Sequence, residues 1–144
     1  MGPGPGRASE QSSAGALILA DTSAWIEYLR DTGTPPCEQL DEGLRTAALA
    51  VCDAVRLEIL AGARDSRHQG ELERLLARAV DLPIEPGHYD LAASLYRACR
   101  RQGETPRNLV DCLIAAVAIE SGVAVLHADR DFDLIARHTP LQVA

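Results

Sequence analysis

The residues of this sequence best suited to chemistry are acidic side chains that stand beside apolar segments. Asp21 directly follows the apolar run LILA, and Asp129 directly follows VAVLHA. Glu58 lies within RLEIL and Asp111 within LVDCLIAAVAI, so apolar residues surround both carboxyl groups. A carboxylate in such surroundings costs several kcal/mol unless it is paired or protonated. These four side chains therefore require either a structural or a functional explanation.

Helix capping is the simpler explanation for two of them. An Asp before a helix accepts hydrogen bonds from backbone N–H groups of the first turn, and Asp21 precedes a helical pattern. In ADRDFDLI, each of Asp129, Asp131 and Asp133 can cap the next helix or complement its dipole. Because Asp129 is nearest to the strand end, we place it in the site, with Asp131 as the alternative and Asp133 facing solvent.

The elements that must position these acids alternate between strands and helices. Strands are predicted at 17–20, 46–52 and 123–128, with weaker candidates at 81–86 and 141–144. Helices are predicted at 23–30, 37–45, 54–63, 66–79, 88–101 and 131–138, and one more runs from the capping signal Thr105-Pro106 to Gly122. Strands that alternate with helices form a parallel sheet covered on both faces, so the predicted fold is an α/β three-layer sandwich.

This fold brings the acids together. The carboxyl ends of parallel strands and the first turns of the following helices share one edge of the sheet, where such folds bind ligands. Asp21 and Asp129 end two strands, and Glu58 and Asp111 lie in the second turns of two predicted helices. Four like charges cannot all remain ionised there unless a cation lies among them. The sequence therefore predicts a metal site at this edge.

The ligand set indicates the ion and the reaction. Oxygen ligands without Cys or His select hard ions, so we expect Mg²⁺, with Mn²⁺ as the alternative. Such ions commonly polarise phosphoryl oxygens and lower the pKa of a bound water. The predicted reaction class is metal-assisted phosphodiester hydrolysis, with Ser23 supporting the metal or the phosphate.

Composition limits the remaining possibilities. The chain has 144 residues, 47% of them hydrophobic, a length at which one domain is expected. No apolar run in the sequence is long enough to span a membrane. Residues 1–15 are predicted to be a disordered tail and 16–144 to form the domain. The start of the chain lacks the apolar centre of a signal peptide, which predicts a cytoplasmic location. The four cysteines lack the spacing of a zinc site, so free and mostly buried thiols are expected.

Four segments, in this order and spacing, resemble a known family: LADTSAWIEYLR, RLEILAGA, NLVDCLIAAVA and VLHADRDFDLIA. Together they resemble the PIN domain, and specifically the VapC-type ribonuclease toxins of bacterial toxin–antitoxin pairs, over about residues 17–143. The resemblance implies an α/β/α sandwich, Mg²⁺ held by an acidic quartet, and cleavage of RNA by metal-activated water. Carried onto this chain, the quartet is Asp21, Glu58, Asp111 and Asp129, with Ser23 and Asn108 as polar companions near the metal.

The resemblance also implies two protein partners. One is a cognate VapB-type antitoxin that covers the active-site groove, and the other is a second copy of the toxin in a homodimer. Apolar residues around Trp25, Tyr28 and Leu29, and around Leu57 and Leu60, can form a groove for an amphipathic segment of the antitoxin. Trp25 or Tyr28 is then an energetic anchor, and the alternative is that both aromatic side chains pack internally.

The chain is acidic, which bears on its affinity for nucleic acids. The formal net charge is −7 and all 14 basic residues are Arg, so strong unguided RNA binding is not expected. Substrate choice is left to local Arg clusters such as Arg97, Arg100, Arg101 and Arg107. The first alternative function is a nuclease of the same fold that acts on DNA or in RNA processing without an antitoxin. The second is an inactive PIN-like module that only binds proteins.

Overall fold

A computed structural model of the chain describes residues 16–144, so the tail expected over residues 1–15 lies outside the described residues. The strands are β1 (Ile18–Ala20), β2 (Leu49–Val51), β3 (Val80–Asp81) and β4 (Ala124–Leu126). The helices are α1 (Thr22–Leu29), α2 (Pro35–Arg45), α3 (Asp53–Ala61), α4 (Ser66–Leu76), α5 (Pro86–Arg101), α6 (Leu109–Ser121) and α7 (Arg130–His138). Within the described residues, none of these helices is long and apolar enough to cross a membrane.

The four strands form one sheet in the order β3-β2-β1-β4, and every pairing is parallel. β1 lies in the middle: Ile18 is in register with Leu49 on one side and with Ala124 on the other. The backbone N–H of Asp21 donates to the carbonyl oxygen of Leu126, which fixes the ends of β1 and β4 side by side. The predicted α/β sandwich with a central parallel sheet is confirmed.

The core explains why these short segments form strands. Parallel strands are covered by helices on both faces and therefore read as continuous apolar runs. The residues Leu49–Val51 of β2 are all at most 1% exposed, and the side chains of α6 from Ile114 to Ala118 are fully buried. α6 ends at Gly122, whose φ of +68° is the left-handed conformation that glycine adopts without strain. The helix that carries Asp111 is thus the central helix of the core.

One predicted boundary is wrong. The Thr105-Pro106 pair does not start a helix, because α6 begins at Leu109 with Asn108 as its N-cap residue. The side-chain oxygen of Asn108 accepts a hydrogen bond from the N–H of Val110 at 2.9 Å. The preceding segment is instead held by the sheet edge, where the N–H of Arg107 donates to the carboxylate of Asp131. A tertiary contact therefore replaces the local start signal.

The other differences are smaller. The prolines at 35 and 36 form the first turn of α2 rather than preceding the helix, as their fixed φ allows. The weak strand candidate at 81–86 contributes only to β3, and the candidate at 141–144 is a single bridge between Val143 and Val125. All four cysteines are free and buried, as predicted.

Candidate metal centre

Asp21 and Asp129 occupy equivalent positions, each between a central strand and the helix that follows. Both are N-cap residues, so the capping explanation is right for both. The Oδ2 atom of Asp21 accepts the N–H of Ser23 at 3.0 Å, and the Oδ1 atom of Asp129 accepts the N–H of Asp131 at 3.0 Å. These caps use one oxygen of each carboxylate, and a carboxylate offers about four lone-pair sites. Capping and cation binding are therefore compatible.

Asp111 lies in the first turn of α6, only 7% exposed, and faces the same edge. Oxygen atoms from Asp111, Asp129 and Asp131 all lie within 4.8 Å of one another. The pKa of Asp111 is raised from 3.8 to about 7, mainly by burial and also by the negative charges of Asp21, Asp129, Asp131 and Glu58. Asp111 and Asp129, two of the four predicted acids, thus meet Asp131 at the sheet edge, whereas Asp21 and Glu58 are not members of this group.

We name Asp111, Asp129 and Asp131 the acidic cluster. Three carboxylates this close carry an excess of negative charge that a divalent cation can neutralise, and their oxygens are the ligands that hard ions such as Mg²⁺ prefer. The donor set therefore fits a divalent cation. Burial also raises the pKa of Asp21, partly offset by the hydrogen bonds that Ser23 donates to its carboxylate.

Asp131 is the acid predicted from the sequence as the alternative to Asp129. It is buried, 4% exposed, and lies in the acidic cluster together with Asp129. Arg107 is its counter-ion: the backbone N–H and Nε of Arg107 donate to Oδ2 at 2.9 and 3.2 Å. The signal for its burial was present in the sequence, because Asp131 and Ile135 are four residues apart on the buried face of α7.

The sequence of the chain matches a known family over most of its length. A family profile described as the PIN domain matches residues 18–138. The chain is 45% identical over 131 residues to two proteins named VapC ribonuclease Mb1587, from Mycobacterium bovis, and Ribonuclease VapC11, from Mycobacterium tuberculosis strain H37Rv. Each match covers 89% of this chain and 98% of the relative. The chain belongs to the VapC family of PIN-domain ribonucleases.

Solved structures are similar to this PIN domain in fold. VapBC2 from Rickettsia felis, bound to a DNA fragment from its promoter, gives a TM-score of 0.72 at 16% identity and covers 89% of this chain and 97% of that one. DNA-bound VapBC from Salmonella typhimurium gives 0.69 at 17% identity, with coverages of 90% and 97%. At these identities the likeness establishes the fold alone.

Glu58 and Asn108, two further predicted site residues, both form hydrogen bonds within the protein. Glu58 is exposed in α3, and its Oε1 accepts the hydroxyl of Thr22 at 2.7 Å. It acts on the pKa of Asp111 through its charge but lies outside the acidic cluster. Asn108 is the cap of α6, so a direct role near a metal stays a prediction. Asp133 is exposed as expected and lies 3.3 Å from Nε2 of His127.

Sequence reasoning assigned no role to His127. Its ring packs against Phe132 with centroids 5.3 Å apart, and its Nδ1 accepts the N–H of Asp129 at 3.2 Å. Nε2 of the ring faces the carboxylate of Asp133. These contacts fix the backbone that presents Asp129, so His127 is a positioning residue for this acid. A histidine directly after a buried strand, two residues before the acid, was the available signal.

Ser23 connects two parts of the candidate site. Its Oγ donates to Oδ2 of Asp21 at 2.6 Å and accepts the N–H of Ala128 at 2.9 Å. The start of α1 is thereby joined to the loop that precedes α7. Ser23 thus holds Asp21 and the loop before α7 in one network, and its predicted role in supporting the metal or the phosphate stays a prediction.

Ser23→Ala is expected to lower the free energy of unfolding by about 1–2 kcal/mol, because one buried carboxylate and one backbone N–H lose a partner. Denaturant unfolding in the presence of a chelator measures this. Thr22→Ala is the matched control: it removes a neighbouring hydroxyl whose partner, Glu58, is exposed, and should cost less. Equal losses in the two variants would contradict the bridging role of Ser23.

Proposed function

We propose that this protein is a Mg²⁺-dependent endoribonuclease that acts as the toxin of a VapBC-type toxin–antitoxin pair. The observation that carries the proposal is the acidic cluster, with oxygens from three carboxylates within 4.8 Å, in a chain 45% identical to proteins named VapC ribonucleases. An inactive binding module would gain nothing from keeping like charges together, since their repulsion costs stability. RNA is the substrate that the names of these relatives support.

The residues that would hold the cation are Asp21, Asp111 and Asp129, with Glu58 as the outermost acid and Asp131 beside Asp129. When bound there, Mg²⁺ or Mn²⁺ supplies Lewis-acid polarisation of the scissile phosphodiester and makes a water molecule more acidic. The chain's own contribution is orientation. Ser23 and His127 fix Asp21 and Asp129 by hydrogen bonds, and the rigid core helix α6 presents Asp111.

Arginine-rich clefts next to the acidic cluster support a polyanionic substrate. A cleft of about 400 Å³ is lined by three arginines, Arg107, Arg130 and Arg137, and by three acids, Glu104, Asp131 and Asp133. Arg107 and Arg137 form ion pairs with acids, whereas Arg130 has no ion pair among the described residues. A second cleft, of about 550 Å³, shares Arg137 and adds Arg101 and His138. In an otherwise acidic protein, guanidinium groups gathered beside the candidate site favour phosphate groups as ligands.

This distribution modifies the predicted Arg cluster. Arg107 and Arg101 line the clefts, whereas Arg97 bonds to Ser94 and Arg100 lies over the ring of Tyr96, 5.9 Å from its centroid. Arg130 and Arg137, which the sequence analysis did not select, line the cleft nearest to the acids. We assign the backbone contacts of the RNA to Arg101 and Arg130, which form no ion pair among the described residues, whereas Arg137 is paired with Glu104 at 2.6 Å.

The test of the function is expression of the whole chain beside the variant Asp21→Asn in a bacterial host. Growth arrest with new 5′ ends in sequenced RNA, present for the wild type and absent for the variant, would support an endoribonuclease toxin. Cleavage of purified DNA but not RNA would favour the alternative nuclease. A growth effect that Asp21→Asn leaves intact would overturn the catalytic proposal in favour of protein binding.

An apolar groove supports an antitoxin partner. It lies between α1, α3 and α4, is lined by Ile26, Leu29, Ile59 and Leu72, and includes Thr22 and Glu58 at its edge. Ile26 and Leu29 are 38% and 46% exposed, which is unusual for large apolar side chains beside one another on a helix. We propose that an amphipathic helix of the antitoxin occupies this groove and thereby covers the acidic edge.

The aromatic anchors expected from the sequence do not line this groove. Trp25 is fully buried, and its ring packs edge-on against Tyr28 with centroids 6.3 Å apart. Tyr28 is half-buried and packs against the core. The prediction of Trp25 as an anchor is therefore wrong, because helix α1 turns that side chain into the core and presents Ile26 and Leu29 instead.

Leu29→Asp is expected to weaken binding of the proposed cognate antitoxin by about 1–2 kcal/mol, because an exposed apolar contact becomes a buried charge in the complex. Calorimetric titration of the antitoxin into each variant measures it. Tyr28→Ala is the comparison: it should lower the unfolding midpoint and leave the affinity nearly unchanged. If Tyr28→Ala loses affinity and Leu29→Asp does not, the groove lies elsewhere. The homodimer stays a prediction, which light scattering of the purified chain can test.

A further inference from the structure

Arg107 contacts two members of the acidic cluster. Its Nη2 donates to Oδ1 of Asp129 at 3.0 Å, and its Nε donates to both oxygens of Asp131, at 3.3 and 3.2 Å. These are two of the three carboxylates whose oxygens lie close enough to share one cation. A guanidinium group therefore already neutralises the α7 side of the cluster. Asp111, the third member, has no such partner among the described residues.

The backbone of Arg107 is fixed by a buried partner, whereas its side chain is largely exposed. Its backbone N–H is fixed by the buried carboxylate of Asp131 at 2.9 Å, but its side chain is 62% exposed. Asp131 is 5% exposed at its side chain, whereas Asp129 is 29% exposed. The bond to Asp129 is thus the more accessible of the two, and the guanidinium can leave it without moving the backbone.

We propose that Arg107 is a resident counter-cation of the acidic cluster, which leaves Asp129 when a divalent cation binds. The inference rests on the metal site of the proposed function. A divalent cation and a guanidinium that share one carboxylate repel each other and compete for the same lone pairs. Arg107 therefore stabilises the metal-free protein against its own negative charge and, in the same contact, lowers the affinity of the site for the metal.

The test is calorimetric titration of Mn²⁺ into the full chain, for the wild type, Arg107→Gln and Arg130→Gln. Arg130 is the matched control: it follows Asp129 directly, is exposed, and has no ion pair among the described residues. We expect Arg107→Gln to bind Mn²⁺ about tenfold more tightly and to unfold at a lower temperature without metal. Arg130→Gln should change the dissociation constant by less than about twofold.

Equal or weaker Mn²⁺ binding by folded Arg107→Gln would overturn the counter-cation role while leaving the metal-dependent nuclease intact. If that variant does not fold, Arg107→Met decides. Met keeps an aliphatic stem but has neither the charge nor the donors of Arg, so tighter binding than the wild type supports the proposal and unchanged binding overturns it. Absence of Mn²⁺ binding in every variant would overturn both the counter-cation and the metal-dependent function.

Discussion

Asp111→Asn is expected to abolish RNA cleavage and, at the same time, to raise the unfolding midpoint of the metal-free protein. The substitution keeps the volume of the side chain but removes a buried charge that lies among Asp21, Asp129, Asp131 and Glu58. Cleavage should fall below about one thousandth of the wild-type rate, as for other residues that act as a unit at a reaction centre. Asp21→Asn is expected to behave in the same way, since Asn also caps helices.

The pH dependence of the stabilisation gives it a signature. The ordinary pKa of 3.8 applies to Asp111 in the unfolded chain, and burial raises it to about 7 in the folded protein. Between these values the folded state keeps a proton that the unfolded state has released, so the free energy of unfolding decreases as the pH rises. The loss of stability caused by ionised Asp111 is complete above pH 7 and absent below pH 3.8, the pKa of this group in the unfolded chain. Asp111→Asn should remove it.

We therefore expect Asp111→Asn to stabilise the chelator-treated protein by about 2 kcal/mol near pH 8 and by almost nothing near pH 4. Denaturant unfolding at several pH values measures the difference. Asp133→Asn, which changes an exposed acid of helix α7, is the control and should show little effect on stability. A loss of stability in Asp111→Asn at both pH values would identify this acid as a structural residue.

Mg²⁺ or Mn²⁺ is expected to stabilise the wild-type protein by about 2.7 kcal/mol at a hundredfold excess over the dissociation constant. The cation binds only the folded state, where the acidic cluster is assembled, and it relieves the repulsion among the carboxylates. Because Asp111 must lose its proton first, the stabilisation should decrease as the pH falls below about 7. Thermal unfolding with increasing concentrations of each ion measures it, and Ca²⁺ should support less cleavage than either.

The effect of a chelator on RNA cleavage tests whether the activity depends on the metal. Excess chelator should stop cleavage, and added Mg²⁺ should restore it in the same sample. Asp111→Asn is the control, because its unfolding midpoint should respond weakly to either ion. Full cleavage in excess chelator would disprove the metal mechanism, whatever the midpoint does.

The sequence was sufficient to predict the fold and the proximity of Asp111 and Asp129, but it placed Asp131 second to Asp129. Short apolar strands that alternate with helices leave few arrangements, and strands that end in Asp21 and Asp129 place both carboxylates at one edge. Asp111 was identifiable because apolar residues surround it in the first half of α6, so this acid was expected to be buried. These inferences depend on local pattern and on a general rule of topology.

The parts that failed depend on contacts between distant segments. The Thr105-Pro106 signal describes a local preference, and the bond from Arg107 to Asp131, 24 residues away, prevails over it. Trp25 and Ile26 are neighbours in the sequence, yet one is fully buried and the other lines a groove. That division depends on how α1 rotates against the sheet, which no single helix specifies.

The central position of β1 has a consequence for protein synthesis. β1 emerges first from the ribosome, but its partner β4, and all three members of the acidic cluster, belong to the last 36 residues from Leu109 to Ala144. Of the predicted site acids, a nascent chain that lacks this part contains only Asp21 and Glu58. Domains generally fold as units during translation, so the acidic edge is assembled only after residues 109–131 have left the ribosome. A ribosome that carries a shorter nascent chain does not yet carry the complete candidate site.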